Sequence, residues 1–449
     1  MKNPIFRRLF LFLAIMGPGI ITSNVDNDAG GITTYSVAGA VLGYKILWLF
    51  LPMIVALVVI QEMCTRMGAV TGKGLADLIR ERFGVRITFY AMAGLFLGNL
   101  GNIMSEFAGV AASMELFGVS KYISLPLAGL FTWWLVLRWS YKVVERVFLA
   151  ACLIYFSYIF SGYLAHPNWG EVARELVIPS FSFDRSYVVI VVGLIGTTIA
   201  PWMQFYIQSS VVEKGITVKD YAYTKYDVIV GSIMVNLVAL FIVISCAATL
   251  NTHGIKVENY KYEVWDVIVG CVATVVVAFF IMVACAATLH VNGISVDSAK
   301  EAALSLAPLA GAWASTLFAI GLLNASLFSA SILPLSTAYF TCEAFGIEAG
   351  IDKSWGEAPA FYWLYTILIA VGAGFIMIPK MPLIKVMFWS QVLNGAMLPF
   401  VLIFMLSLIN NKDIMGDYVN GRTFNIISWV TVVIMIALTL LMVVTSFIQ

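Results

Sequence analysis

Charge is what this chain of 449 residues has least of: Asp, Glu, Lys and Arg together make 11% of it, against 61% hydrophobic residues. A soluble domain of that size needs far more polar surface, so the composition excludes one and reads as a polytopic membrane protein. A formal net charge of +1 leaves no basic surface to neutralise phosphates, which excludes nucleic acid as a partner. Histidine is nearly missing: His166, His253 and His290 are the three present, each near the end of an apolar segment. The six cysteines fall mostly inside or beside apolar runs without metal-ligand spacing, so they read as small core hydrophobes rather than disulfides. Nor is there a nucleophile–base pair, a Walker loop or a metalloprotease motif, and nothing points to an enzyme or a bound cofactor. No obligatory protein partner is evident either. The lipid bilayer and a small transported species remain.

What is there is apolar sequence in repeated spans. They run at about 9–40, 46–67, 88–117, 122–138, 147–165, 187–212, 227–250, 266–289, 307–340, 361–379, 382–409 and 425–447. The links between them are too short for a soluble domain, so residues 1–449 read as a single transmembrane domain of 11 to 12 helices. The first segment is too long and too broken by Gly and Pro for a cleaved signal peptide, and reads as helix 1. Arg7 and Arg8 precede the first span, Arg80, Arg82 and Arg86 follow the second, and Arg138 and Arg146 follow the fourth. Positive residues on alternate links place the N-terminus in the cytoplasm of a multi-pass protein of the cell membrane.

Two spans are interrupted. Residues 24–31, with Asp26, Asn27 and Asp28 followed by Gly30 and Gly31, lie mid-way along the first. Acids at membrane depth are costly unless they face a cavity or a ligand, and the glycines are expected to release the backbone from helical geometry. The bland alternative is a kinked structural helix whose acids reach an interface. In the sixth span Pro201 cannot donate its backbone N–H, and Thr197, Thr198 and Gln204 are placed to satisfy the freed groups. Two broken helices five spans apart, of opposite orientation, are what a five-plus-five inverted repeat predicts, with halves at about 1–166 and 187–409. A further helix follows at 425–447.

A near-copy disturbs that scheme. Asp227-Val228-Ile229-Val230-Gly231 recurs as Asp266-Val267-Ile268-Val269-Gly270, and Cys246-Ala247-Ala248-Thr249-Leu250 as Cys285-Ala286-Ala287-Thr288-Leu289, at an offset of 39 residues. The helices 227–250 and 266–289 read as a tandem duplication with one copy displaced from the core.

Gly17-Pro18-Gly19, Asp28-Ala29-Gly30-Gly31, Gly43-Tyr44-Lys45 and Thr71-Gly72-Lys73-Gly74, in that order, resemble the first two helices of the Nramp family of divalent-metal transporters. Ser105-Glu106, Leu317-Phe318-Ala319 and Ser390-Gln391-Val392 resemble its third, eighth and tenth helices. The resemblance runs nearly end to end and implies a leucine-transporter-like fold with helices 1 and 6 broken. It also implies transport of divalent transition metals, usually with protons. The departures are informative. The family's Asp-Pro-Gly-Asn reads here as Asp28 to Gly31, so the carboxylate stays and the asparagine ligand is lost. Its Met-Pro-His reads as Ala200-Pro201-Trp202, so the thioether is lost. The third-helix aspartate of its proton route falls at Ile103, and the second sixth-helix histidine at Ile207 or Gln208.

Thioether sulfur selects softer metals, whereas Mg²⁺ prefers oxygen and keeps several waters. Losing two ligands opens the site to an ion carried partly hydrated, which resembles the divergent Nramp-related branch that transports magnesium. The expected function is secondary transport of Mg²⁺, and also Mn²⁺, by alternating access without obligatory proton coupling. The alternatives are a proton-coupled Mn²⁺/Fe²⁺ transporter and an organic-substrate carrier, for example for amino acids. Asp28 is the expected carboxylate ligand, with a helix cap as its structural alternative. Gly31 and Ala200 would give backbone carbonyls and space, and Gln391 an amide oxygen or a held water. Asp26, Asn27, Glu106 and Gln204 are candidates for the surrounding shell.

Overall fold

A computed structural model describes residues 28–138, 169–213, 296, 298–303, 311–351 and 353–448. The near-copies 227–250 and 266–289, the span 147–165, and Asp26 and Asn27 lie outside the described residues, as does the chain before Asp28. Every regular element within them is helical. Helix α1 covers Ala29–Leu42 and passes through a 3₁₀ turn, Gly43–Leu49, into α2, Phe50–Thr71. Then come α3 (Leu75–Leu116), α4 (Lys121–Arg138), the short α5 (Trp169–Val177), α6 (Arg185–Thr198) and α7 (Pro201–Glu213). The rest comprises α8 (Ala299–Ala303), α9 (Ala314–Phe345), α10 (Pro359–Ile376), α11 (Leu383–Ile409), α12 (Lys412–Met415) and α13 (Arg422–Ile448).

Seven helical stretches among the described residues are long and apolar enough to cross a membrane. Such helices are hydrophobic all round, because one face meets protein and the other meets lipid. Helices α3, α9 and α11 form the packed centre, with α6 lying along α11 and α1 wedged against α3, α6 and α11. On one side of the molecule the Trp48 indole donates to the Ser180 carbonyl at 3.0 Å and to the Tyr187 hydroxyl at 3.2 Å. That contact joins the 3₁₀ turn after α1 to the link before α6, as an inverted pair of half-helices requires.

The break in the sixth span lies near its middle. Helix α6 has 14 residues and α7 has 13, about 21 and 20 Å at 1.5 Å per residue. Neither alone crosses roughly 30 Å of hydrocarbon, so Ile199 and Ala200 sit at mid-depth. Helix α1 also has 14 residues, which places its first turn at a similar depth. One expectation needs correction. Gly30 and Gly31 do not unwind the chain: both belong to the first turn of α1, which begins just after Asp28. The stretch Leu75–Leu116 is broken at Gly84, whose φ of 80° and ψ of 165° are not helical and suit only glycine, so the helix of the third span begins just after it, close to the expected 88.

Two buried cations are structural. Arg66 pairs with Glu62 at 3.1 Å and donates to the carbonyls of Tyr418 and Val419 at 3.0 and 3.1 Å. It pins the loop before α13 to α2, and removing one partner of such a pair leaves an uncompensated buried charge. Lys121 donates to the carbonyls of Ile376 and Ile378 at 2.9 and 2.7 Å. There it satisfies the orphan carbonyls at the end of α10.

Candidate metal site

The first turn of α1 leaves its amide hydrogens without intrahelical partners, and carboxylates meet them. Asp28 takes the cap position, and its Oδ1 accepts from the Gly31 N–H at 2.5 Å. Glu106, on α3, accepts from the Ala29 N–H through Oε2 at 3.2 Å, although the two residues are 77 apart in sequence. The two carboxyls thus meet N–H groups two residues apart in the same helical turn, which brings them close to each other. Both are buried, at 4% and 0% exposure. Glu106 Oε1 has no hydrogen-bond partner among the described residues. None of the ion pairs among the described residues brings Lys or Arg to either acid. Two carboxyls side by side in a low-dielectric interior repel unless a proton or a cation sits with them. The helix N-terminus offsets part of that charge and does not cancel it.

Gln391, on α11, completes this wall. A side chain on Gly30 would run into the Gln391 amide, so glycine is what lets α11 approach the first turn of α1 so closely. Beyond Gln391, Asn394 donates to its Oε1 at 2.9 Å and exchanges hydrogen bonds with Asn102 at 3.0 and 2.9 Å. Asn102 also donates to Asn99 at 3.1 Å. These asparagines were not singled out from the sequence. The available signal was polar residues three apart on spanning helices, Asn99 with Asn102 and Gln391 with Asn394, which share a helix face.

The second break is chemically different. The Ala200 carbonyl accepts from the Gln204 Nε2 at 3.1 Å and the Met203 N–H at 3.2 Å. Gln204 in turn meets the Cys64 thiol at 3.6 Å. Ala200 and Gln204 therefore satisfy each other, and their hydrogen bonds do not run to the acids. The breaks are joined one turn away, where the Tyr35 hydroxyl meets the Thr198 hydroxyl at 2.9 Å. Of the expected residues, Asp28, Gly31, Glu106 and Gln391 gather at one place, and Ala200 and Gln204 line the facing break. Among the described residues, no group of three or more His, Cys, Asp or Glu side chains is placed to hold a metal. Whatever binds here meets two carboxylates and neutral oxygen and nitrogen.

The positions that carry titratable groups in the resembled family face apolar or capping environments. Ile103 is fully buried and lies where Gly372 of α10 comes close. Helix α10, with the sequence PAFYWLYTILIAVGAGFI, offers no acid, base or histidine across that contact. Ile207 is fully buried, and Gln208 donates to the Lys73 carbonyl at 2.9 Å.

Comparison with known proteins gives a consistent result. Residues 19–261 and 252–445 match the family described as natural resistance-associated macrophage protein-like, abbreviated Nramp. The two matches overlap between the near-copies 227–250 and 266–289. A divalent metal cation transporter, MntH, of Yersinia pestis is 24% identical over 437 residues, covering 95% of this chain and 93% of that protein. The same holds for MntH of Yersinia pseudotuberculosis. Among solved structures, a manganese transporter of Eremococcus coleocola superposes with a TM-score of 0.73 at 20% identity, covering 99% of this chain and 88% of the other. The protein MhsT, solved in complex with L-phenylalanine, gives 0.55 at 13% identity, covering 94% of this chain and 98% of the other. Such likenesses show the fold, an all-helical membrane architecture shared by Nramp and leucine-transporter-like proteins.

Proposed function

The chain belongs to the Nramp family, and on that premise we propose that it carries divalent metal ions across the membrane, Mg²⁺ foremost and Mn²⁺ as well. The ion travels partly hydrated, by alternating access, without obligatory proton coupling. It is the substrate, and no resident cofactor takes part. The observation that carries this reading is the buried Asp28–Glu106 pair at the start of a half-helix. Mg²⁺ is characteristically held by one or two carboxylates while it keeps several waters. At the second break Ala200 stands where the family has a thioether, so that position supplies no soft ligand.

The absence of acid, base and histidine from α10 and from positions 103 and 207 supports the uncoupled mode. An amino-acid substrate is disfavoured by the same geometry. The N–H groups of Ala29 and Gly31, which would greet a substrate carboxylate, already serve Glu106 and Asp28. The second reading, a proton-coupled Mn²⁺ carrier, draws on the manganese transport named for the Eremococcus relative. It draws also on the carboxyl pair, which can hold a proton as well as a metal.

Purified protein in liposomes separates the two. Saturable Mg²⁺ uptake, with Mn²⁺ competing and the lumen keeping its pH when an ionophore clamps the voltage, is the expected result. Acidification that tracks inward metal flux overturns the uncoupled mode. Strong Mn²⁺ uptake with no Mg²⁺ uptake overturns the magnesium assignment.

A further inference from the structure

The amide of Gln391 reaches the first turn of α1, and its orientation decides whether an oxygen or an N–H group is offered there. A chain of hydrogen bonds fixes that orientation from a distant threonine. The Thr337 hydroxyl, on α9, spends its single hydrogen on the Leu333 carbonyl at 2.8 Å. Towards Asn99 it can therefore only accept, and Asn99 donates to it at 2.6 Å. That turns the Asn99 oxygen to Asn102, which donates to it at 3.1 Å. Asn102 and Asn394 then exchange hydrogen bonds at 3.0 and 2.9 Å, and the second N–H of Asn394 goes to Gln391 Oε1 at 2.9 Å. The near end agrees. The Ser390 hydroxyl donates to the Met387 carbonyl at 2.7 Å, so it can only accept from Gln391 Nε2, at 3.4 Å. The Gln391 oxygen is thus held away from Gly30, and its nitrogen faces the first turn of α1. Asn99, Asn102, Asn394 and Gln391 are all buried, which shields the ladder from bulk water and strengthens its hydrogen bonds.

We propose that the ladder Thr337–Asn99–Asn102–Asn394 is a positioning device for ion selectivity, which withholds the Gln391 oxygen from the site so that an entering ion must keep its own water. Mg²⁺ dehydrates reluctantly and loses least by this arrangement, whereas Mn²⁺ forgoes an oxygen ligand it could use. The inference rests on the metal-transport reading above and assigns a share of the selectivity to residues that do not touch the ion.

The experiment is calorimetric titration of the purified full chain with Mg²⁺ and with Mn²⁺, read as the ratio of the two affinities. Asn394→Asp keeps the shape but can only accept, so Gln391 must turn its nitrogen to position 394 and its oxygen to the site. The added charge raises both affinities, and the ratio isolates the orientation. The expected shift is about two- to tenfold towards Mn²⁺, the span of one net hydrogen bond. Thr337→Val, uncharged and remote from the site, frees the far end and shifts the ratio the same way by less. In a Gln391→Leu background neither substitution moves the ratio, because the group being oriented is gone. An unchanged ratio in folded Thr337→Val and Asn394→Asp proteins overturns the proposal, as does a shift that persists without Gln391. Wild-type protein that binds neither ion instead removes the metal-transport reading itself.

Discussion

Two aspartates do the same local job in this protein at different depths. Asp28 caps α1 through the Gly31 N–H, and Asp184 caps α6 through the Ser186 N–H at 3.1 Å. Both helices have 14 residues, and both caps follow the ordinary preference of Asp for that position. Asp184 stands exposed at the outer end of its half-helix, beside the Ser186 hydroxyl and amide, which hold its carboxyl below the usual carboxylate range. Asp28 is buried at the inner end of its half-helix and shares its surroundings with Glu106. Water supplies everything the first needs. The second lies buried beside another carboxyl, where a cation or a proton relieves the repulsion.

The comparison breaks most visibly at Asp28. Asp28→Asn keeps a capping oxygen and removes the charge, so binding of Mg²⁺ and Mn²⁺ is expected to fall more than about a hundredfold, beyond the loss typical for groups that only support a ligand. Calorimetry of the folded variant reads this directly, and wild-type affinity would show that Asp28 is a cap and nothing more. Asp28→Ala loses the cap too, at about 1 kcal/mol of stability, and the difference in thermal midpoint between the two variants separates the roles.

Glu106→Gln preserves an acceptor for the Ala29 N–H while halving the buried charge. A loss of about ten- to a hundredfold in metal affinity is expected. No loss would mean that Glu106 serves only to hold α1 against α3.

A smaller effect is expected from the ligand set. Gly31→Asn combined with Ala200→Met adds an amide oxygen and a soft sulfur, and should move the uptake preference several-fold from Mg²⁺ towards Mn²⁺. An unchanged ratio in a well-folded double variant would place the origin of selectivity elsewhere.

The smallest effect belongs to Asp184→Asn, which should leave metal uptake at the wild-type level. Because the Asp184 carboxyl is depressed, its contribution to stability is complete above the ordinary carboxylate range and is lost as the pH falls through the depressed value. The variant should therefore be slightly less stable than wild type near neutral pH and converge with it in acid, giving a flatter acid limb in thermal stability. A transport defect there would mean that the two caps are not as different as their depths imply.

Much of this organisation is legible along the chain. An acid within the first apolar span and Pro201 within the sixth mark the breaks, because each violates what a lipid-buried helix tolerates. Family resemblance then follows from short motifs at those breaks. The start of α1 is not legible, since glycine permits unwinding and helix alike, and the close approach of Gln391 is what Gly30 serves. Glu106 carried no local sign of its partner: its amide donor is 77 residues away. The asparagine ladder is less visible still, because each member alone is an ordinary polar residue in a membrane helix.

A many-helix membrane protein of the Nramp family with an acid at a helix break can be read from the chain directly, because hydropathy, helix-breaking residues and motif order are properties of neighbouring positions. Which groups share that acid's surroundings follows from the packing of the helices. Burial and hydrogen-bond direction depend on α1, α3, α9 and α11 meeting in space, and a carboxylate pair or an oriented amide exists only where they do.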